Sequence, residues 1–183
     1  MAQFTSEAGF FRGMGELGMA LVTFGQSYKK YDWKTGEDEL HLARTADGWN
    51  LALRRYRAVG KAHPFPVICS HGMAGSHFIY DLHPDYSLAR FLAKCRFDVW
   101  CVDLRGRFDS WPDGGPNPQL QWCFDDFVAH DFPAIVDKVC ELAGAAQAFW
   151  LGMEMSGQLL YAAAIAGLAG KLRGWITCGS PVL

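Results

Sequence analysis

Three short and almost wholly apolar runs set the strongest limit on how this chain can fold. They lie within PFPVICSHG at residues 64–72, FDVWCVDLRG at 97–106 and QAFWLGME at 147–154, and segments with helical character separate them. Short apolar runs of this kind are typical of strands that are buried on both faces. Strands that alternate with helices predict a mostly parallel sheet with helices on both faces, and therefore an α/β fold.

An antiparallel hairpin is predicted to lead into this sheet. The segment HLARTADGWNLALRRYRA, from His41, contains two β-prone runs on either side of Asp47 and Gly48. Asp-Gly is a pair that favours a tight turn between antiparallel strands. A further strand is predicted in KLRGWITCGSPV, near residue 183.

Two helices between the strands follow from apolar spacing. In YSLARFLAKCR, the side chains of Leu88, Phe91, Leu92 and Cys95 share one face, which we expect to be the packed face. FDDFVAHDFPAIVDKVCELAG is predicted to be a single helix with Pro133 early in it, where a first turn tolerates proline.

Composition excludes several classes of partner. The 183 residues carry a formal net charge of -2, and no run of Lys or Arg is longer than two residues. Nucleic acid and anionic membrane surfaces are therefore not expected partners. The six cysteines lack paired metal spacing and read as reduced core thiols, so we expect a cytoplasmic protein without cofactor or metal.

Two regions are predicted, an N-terminal helical extension at 1–38 and an α/β core at 39–183. In the extension, Phe10, Met14, Leu17 and Leu21 recur at helical spacing. We expect this helix to pack on its own domain. Its apolar stretch is much shorter than the roughly 20 residues that a membrane span requires, and no targeting signal is evident.

The segment WLGMEMSG, residues 150–157, carries the clearest functional pattern. It joins the third apolar run to a predicted helix, QLLYAAAIAGLAG. A strand, a sharp Gly-x-Nuc-x-Gly turn and a helix form a nucleophile elbow, whose central side chain is exposed at the end of the sheet. Here Gly152 opens the turn, Glu154 occupies its apex and Ser156 replaces the second glycine.

Four segments, taken together, resemble the α/β-hydrolase fold, in particular its acid-lipase and polyhydroxyalkanoate-synthase-like branches. They are TADGWNLALRRYR, the stretch from PVICSHGMAGSHF to VWCVDLRG, FDDFVAHDFPAIVDKV and FWLGMEMSGQLLYA, in the family's order. The resemblance spans about residues 40 to 183. It implies that the loop after VICSHG forms part of an oxyanion hole and that a histidine there orients this loop. The implied site residues are Glu154 at the nucleophile position, the backbone N–H donors Met73, Ala74 and Met155, and the supporting residues His71, Gly72 and Gly152.

The chain departs from the family's pattern at two points. The nucleophile position holds Glu154 instead of serine or cysteine, and Ser156 is expected in the first turn of the helix, pointing away from the oxyanion site. The family's acid and histidine follow the elbow, whereas the last histidine here is His130. Upstream, His77 and His83 are expected to be structural or superficial.

Two aspartates follow the second apolar run. Asp103 and Asp109 come after the predicted strand end, where sites in open sheets collect. We interpret Asp103 as a carboxylate that caps the loop.

Three roles for Glu154 remain open from the residues alone. As a nucleophile, it would attack an acyl or similar carbon, although its side chain is one methylene longer than that of aspartate. As a general base, partly buried at the elbow, it would activate water or a hydroxyl group. In the third role it does no chemistry and only bonds to a neighbour.

A sheet of this family continues beyond the strand GWITCGSPV, so the chain is expected to lack the last strands and the lid. That strand would be an unpaired apolar edge around Trp175 and Ile176. We therefore expect a partner that completes the fold: a second polypeptide, another copy or a covalent continuation. The first functional hypothesis is a hydrolase-type subunit that acts on an ester, lactone or thioester. The alternative is a non-catalytic, hydrolase-like protein used for binding or assembly.

Overall fold

The computed structural model describes residues 35–117 and 119–182. Its strands are β1 (Glu39–Arg44), β2 (Trp49–Tyr56), β3 (Val67–Ser70), β4 (Val99–Val102), β5 (Trp111–Pro112), β6 (Ala148–Met153) and β7 (Leu172–Cys178). The α-helices are α1 (Leu88–Lys94), α2 (Phe124–Asp126), α3 (Phe132–Ala143) and α4 (Met155–Ile165). The predicted helical extension lies, for its first 34 residues, outside the described residues.

All seven strands belong to one sheet, in the order β1-β2-β4-β3-β6-β7, with β5 paired to β2. Strands β4, β3, β6 and β7 are parallel neighbours, and β1, β2 and β5 are antiparallel. The predicted hairpin is confirmed, because Arg44 of β1 pairs with Asn50 of β2 across the Asp47-Gly48 turn. The mostly parallel α/β sheet predicted from the apolar runs is therefore the observed fold. The short strand β5 was not predicted, since it lies inside a loop rich in glycine and proline.

Helices cover both faces of the sheet, and each face has its own apolar core. Helices α3 and α4 supply Phe132, Ile135 and Leu159, among others, to the larger core, where they pack on Trp100 and Trp150. The smaller core lies under α1. Successive residues of β3 and β4 point to alternate cores, and this explains why both strands are apolar at every position.

The packed face of α1 differs from the prediction. Its buried residues are Ala89 and Ala93, whereas Leu88 and Phe91 are exposed. Cys95, just after the helix, is exposed as well. Small side chains allow the helix to approach the sheet closely, so the alanines occupy the contact, and of the predicted residues only the partly buried Leu92 packs against this core.

The segment 124–143 is not one regular helix. A π-helical segment, Phe127–Asp131, separates α2 from α3, and Pro133 lies in the first turn of α3. Proline has no N–H to donate, and its ring clashes with the carbonyl four residues earlier. A wider turn before Pro133 relieves this conflict.

Strand β7 is the last strand of the sheet within the described residues. It pairs with β6 on one side only. Trp175 and Ile176 are 52% and 60% exposed, respectively. The predicted unpaired apolar edge is thus present in this part of the chain.

Candidate functional site

The turn at Glu154 has the backbone conformation of a nucleophile elbow. It joins the end of β6, at Met153, directly to α4, which begins at Met155. Glu154 has φ 53° and ψ -118°, a conformation that side chains other than glycine rarely adopt. Its N–H donates to the carbonyl of Cys178 at 2.8 Å, so the end of β7 helps to hold the turn in place.

Small residues make this sharp turn sterically possible. A Cβ atom on Gly152 would lie 2.8 Å from the Ser156 carbonyl oxygen and 2.9 Å from the Gly157 nitrogen. Gly157 is equally constrained, because a Cβ there would overlap the side chain of Ser180. Ser156 is buried in the first turn of α4, as expected. The strand and the helix therefore cross too closely for larger side chains.

The Glu154 side chain lies against Gly72, in the loop that follows β3. A Cβ on Gly72 would lie 2.8 Å from the Glu154 Cβ and would also overlap its carboxylate. Glu154 is exposed, which corrects the expectation that it would be partly buried, because the apex of the turn projects beyond the carboxyl end of the sheet. No ion pair of Glu154 is found among the described residues.

The loop after β3 forms a tight turn beside Glu154. The N–H of Gly75 donates to the carbonyl of Gly72 at 3.1 Å, with Met73 and Ala74 as the central, exposed residues. This bond uses neither the Met73 N–H nor the Ala74 N–H. Met155 is the first residue of α4, and its N–H has no partner within the helix. The structure brings the turn to Glu154 through Gly72, and the oxyanion role of the three N–H groups stays a prediction.

His71 holds this loop to the next strand. Its Nδ1 lies 2.7 Å from the Gly72 carbonyl, and its Nε2 lies 3.0 Å from the Leu104 N–H. Since a carbonyl only accepts and an amide only donates, Nδ1 carries the proton and the ring is neutral. Burial lowers the pKa of His71, which agrees with this assignment. The ring is fully used as a structural link.

His77 and Asp103 form a buried pair that the sequence did not predict as a pair. His77 is 2% exposed, and its Nδ1 lies 2.8 Å from Asp103 Oδ2. Asp103 also accepts from the His77 main-chain N–H at 2.8 Å and from Arg54 Nη1 at 2.6 Å. Burial by itself would raise the pKa of Asp103, but the bonds from His77 and the charge of Arg54 hold it below its usual value.

The interpretation of Asp103 as a simple loop cap needs correction. Asp103 is a buried carboxylate whose hydrogen bonds join β2, the end of β4 and the loop after β3. Asp109 lies on the outer side of the network and accepts from Arg54. His83 is superficial, as expected, and lies beside Asp85. The sequence contained no signal for this pairing, because the partners are far apart along the chain.

Arg107 contacts the turn 72–75, which Glu154 also contacts. Its Nη2 donates to the Met73 carbonyl at 2.5 Å. The residue is only partly exposed, and burial lowers its pKa, an effect that the charge of Asp103 opposes. It has no carboxylate within ion-pair distance among the described residues. Sequence reasoning missed Arg107 because nothing in GRFDS marks it as different from other loop arginines.

Comparison with known proteins shows the family to which this chain belongs. A sequence description of the alpha/beta hydrolase fold matches residues 66–180, which is more than half of the chain and includes both the turn 72–75 and the elbow. The chain belongs to the α/β hydrolase fold family. The resemblance stated from the sequence is thus confirmed.

Individual relatives of this α/β hydrolase-fold chain are lipases. It is 29% identical over 126 residues to a tear acid lipase-like protein of Mesocricetus auratus, covering 62% of this chain and 31% of that protein. It is 32% identical over 122 residues to Lipase 1 of Drosophila melanogaster, covering 63% and 27%. Among solved structures, an α/β hydrolase from Novosphingobium aromaticivorans matches with a TM-score of 0.58 and 23% identity, covering 79% of this chain and 45% of that one.

The α/β hydrolase-fold chain spans about a third of the length of the curated relatives it matches. The family match at residues 66–180 includes strands β3 to β7.

Two further features of this family member bear on metals and membranes. Ligand atoms of Asp47, Asp126 and His130 lie within 4.8 Å of one another. Two of these groups already have partners, since Asp47 accepts from Arg105 and Asp126 accepts from the Cys123 N–H. In the part of the chain that the structure describes, no helix has the length and apolar character needed to cross a bilayer.

The cysteines agree only in part with their interpretation as core thiols. All six are free. Cys69, Cys101 and Cys140 are buried, whereas Cys95, Cys123 and Cys178 are exposed, because their segments end at the surface of the sheet or helix.

Proposed function

We propose that this chain is the nucleophile-elbow half of a hydrolase that acts on an ester, lactone or thioester, with Glu154 as its acid–base residue. The observation that carries the proposal is the conformation of Glu154. A strained backbone persists where the surrounding structure enforces it, and such strain concentrates at functional sites. The lipases among the relatives support an acyl substrate.

The geometry favours a general base over a nucleophile. A nucleophilic oxygen must reach about 3–3.5 Å from the acyl carbon, in an orientation set by the oxyanion donors. Glutamate is longer than serine, so its oxygens lie beyond the position for which the elbow is built. A base acts through one water molecule and tolerates this extra length. The exposed Glu154 carboxylate is open to that water.

In this mechanism, Glu154 takes a proton from water as the water oxygen attacks the acyl carbonyl. The carbonyl oxygen becomes an oxyanion, which the N–H groups of Met73, Ala74 and Met155 would stabilise. Collapse of the tetrahedral intermediate expels the alcohol or thiol, to which the proton on Glu154 is returned. His71 and Gly72 support the site by fixing the loop and by leaving room for the Glu154 side chain.

We further propose that other elements complete this half, as a second polypeptide, a second copy or a covalent continuation. Strand β7 exposes Trp175 and Ile176 along an open edge of the described sheet. An apolar edge strand of this kind is normally paired or covered. The free thiols support a reducing compartment, and we propose the cytoplasm.

One observation favours the alternative, a non-catalytic hydrolase-like protein for binding or assembly. Within the described residues no histidine forms a hydrogen bond with the Glu154 carboxylate. The rings of His71 and His77 are already bound to other groups. If nothing else supplies an acid or base, the elbow serves only as structure.

Activity on p-nitrophenyl butyrate, measured with the protein purified from its own host, separates the two functions. The Glu154→Gln variant should lose roughly 100-fold or more in kcat, as expected for removal of a general base. Glu154→Asp should retain part of the rate. Glu141→Gln, on the exposed side of α3, is the matched control and should leave the rate unchanged.

Absence of hydrolysis by the native-source protein, or equal rates for Glu154→Gln and the wild type, would favour the non-catalytic alternative. An acyl adduct on Glu154 in rapid-quench intact-mass spectra would show that Glu154 is a nucleophile and not a general base. The same preparation tests completion: a second polypeptide, a dimer or a heavier chain is expected, and a lone monomer of residues 1–183 that turns over esters would contradict it.

A further inference from the structure

Arg107 differs from the other arginines in the described part of the chain. Five of them, Arg44, Arg54, Arg55, Arg57 and Arg90, contact carboxylates, and so does Arg105. Arg96 and Arg173 have no carboxylate partner but are exposed. Arg107 alone among these residues is both partly buried and without a carboxylate.

The described part of the chain offers Arg107 no free carboxylate as a partner. Asp103 is the nearby carboxylate that acts on its charge, but this carboxylate already accepts from His77 and Arg54. Within residues 35–117 and 119–182, the one hydrogen bond that the Arg107 side chain makes goes to the Met73 carbonyl, through Nη2. A guanidinium has five N–H donors, so several remain for a further acceptor. A partly desolvated cation of this kind is stabilised by an anion.

The distance between Arg107 and Glu154 limits how far such an anion lies from the reacting group. Arg107 holds the carbonyl of Met73, and Glu154 covers Gly72, the preceding residue. Consecutive Cα atoms are about 3.8 Å apart, so the path from the guanidinium through Met73 and Gly72 to the carboxylate of Glu154 is about 12 Å, and the two charged groups lie no farther apart than this. An anionic group on Arg107 would therefore be only a few bonds from an acyl carbon next to Glu154.

We propose that Arg107 binds a carboxylate of the substrate, and that the substrate is an ester or lactone with this carboxylate a few atoms from its acyl carbonyl. The acyl part of this inference rests on the proposed function. The carboxylate part rests on Arg107. A planar guanidinium pairs with a carboxylate through two parallel hydrogen bonds, which gives orientation as well as affinity. The substrate would then bind beside the turn 72–75 in a single orientation.

Calorimetric titration with two probes of similar size tests the inference. Monomethyl succinate carries a carboxylate, and methyl levulinate has a neutral ketone at the same place. The wild type should bind monomethyl succinate roughly tenfold more tightly or better, as expected for a charge-assisted pair. Arg107→Gln should abolish this preference, whereas Arg107→Lys, which keeps the charge, should retain part of it.

Arg96→Gln is the matched control. It removes an exposed arginine that lies before β4, whereas Arg107 lies after the other end of this strand. It should keep the full preference. Near-ultraviolet circular dichroism of each variant verifies that the fold is intact. Binding of neither probe, equal binding of both, or an Arg107→Gln variant that keeps the preference would overturn the inference. Acetate that binds as tightly as monomethyl succinate would also overturn it, since that result describes a simple anion site.

The result is separable from the proposed hydrolysis. A preference for monomethyl succinate that depends on Arg107, in a protein that hydrolyses no ester, leaves the anion site standing and removes the catalytic function. Hydrolysis of p-nitrophenyl butyrate without any such preference would support the catalytic function and would remove the anion site.

Discussion

Replacing Glu154 by glycine should stabilise the protein. Glu154 adopts φ 53° and ψ -118°, which glycine reaches without the steric penalty that a Cβ atom causes. Such strain is about 1–3 kcal/mol. The greater freedom of glycine in the unfolded chain offsets roughly 0.4–1 kcal/mol of the gain. The exposed side chain contributes little packing, so the net expectation is a stabilisation of about 1 kcal/mol.

Glu154→Ala separates this strain from the loss of the carboxylate. Alanine keeps the Cβ atom and hence the strain, so the difference between Glu154→Gly and Glu154→Ala measures the strain less the contribution of glycine's greater freedom in the unfolded chain. Ala164→Gly, at an exposed position in α4, is the matched control and should be destabilising by about 1 kcal/mol.

Urea denaturation and thermal unfolding measure these differences. A gain of about 1 kcal/mol corresponds to a rise in Tm of roughly 2–4 °C for a domain of this size. If Glu154→Gly is no more stable than Glu154→Ala, the strain does not exceed the roughly 0.4–1 kcal/mol that the freedom of glycine offsets. The observation on which the proposed function depends would then lose its physical basis.

Three further outcomes follow from the same contacts. Gly72→Ala should be destabilising by about 1–3 kcal/mol, because its Cβ would overlap Glu154, and the cost measured by urea denaturation should fall in a Glu154→Gly background. His71 is buried and neutral, so its contribution is complete above the unfolded pKa of about 6.5 and is lost as the pH falls, at up to roughly 1.4 kcal/mol per pH unit. The difference in stability between wild type and His71→Gln should therefore shrink below about pH 6.5. Asp103→Asn should cost about 1–3 kcal/mol in urea denaturation, because it removes the buried carboxylate that accepts from both His77 and Arg54 and leaves Arg54 with only Glu37 and Asp109 as partners; no measurable loss would mean that the network is superficial.

The sequence by itself determined the layers of the fold and the place of the elbow. Strands β3, β4 and β6 follow from runs of apolar residues, and the hairpin follows from Asp47-Gly48 between two β-prone runs. The elbow follows from small residues around Glu154. These features depend on a few neighbouring residues, so periodicity and turn chemistry are sufficient to predict them.

Only the tertiary structure decided which side chains meet. Arg54 and Asp103 are 49 residues apart in sequence, and the pairing of β2 with β4 is what brings their strands together. The packed face of α1 was predicted correctly only at Leu92, because closeness to the sheet selected Ala89 instead of the larger Phe91. The contact between Glu154 and Gly72 likewise depends on the parallel pairing of β3 with β6. Short-range patterns encode where strands and turns form, but partners across the sheet are chosen by the register and by the space that the folded chain leaves.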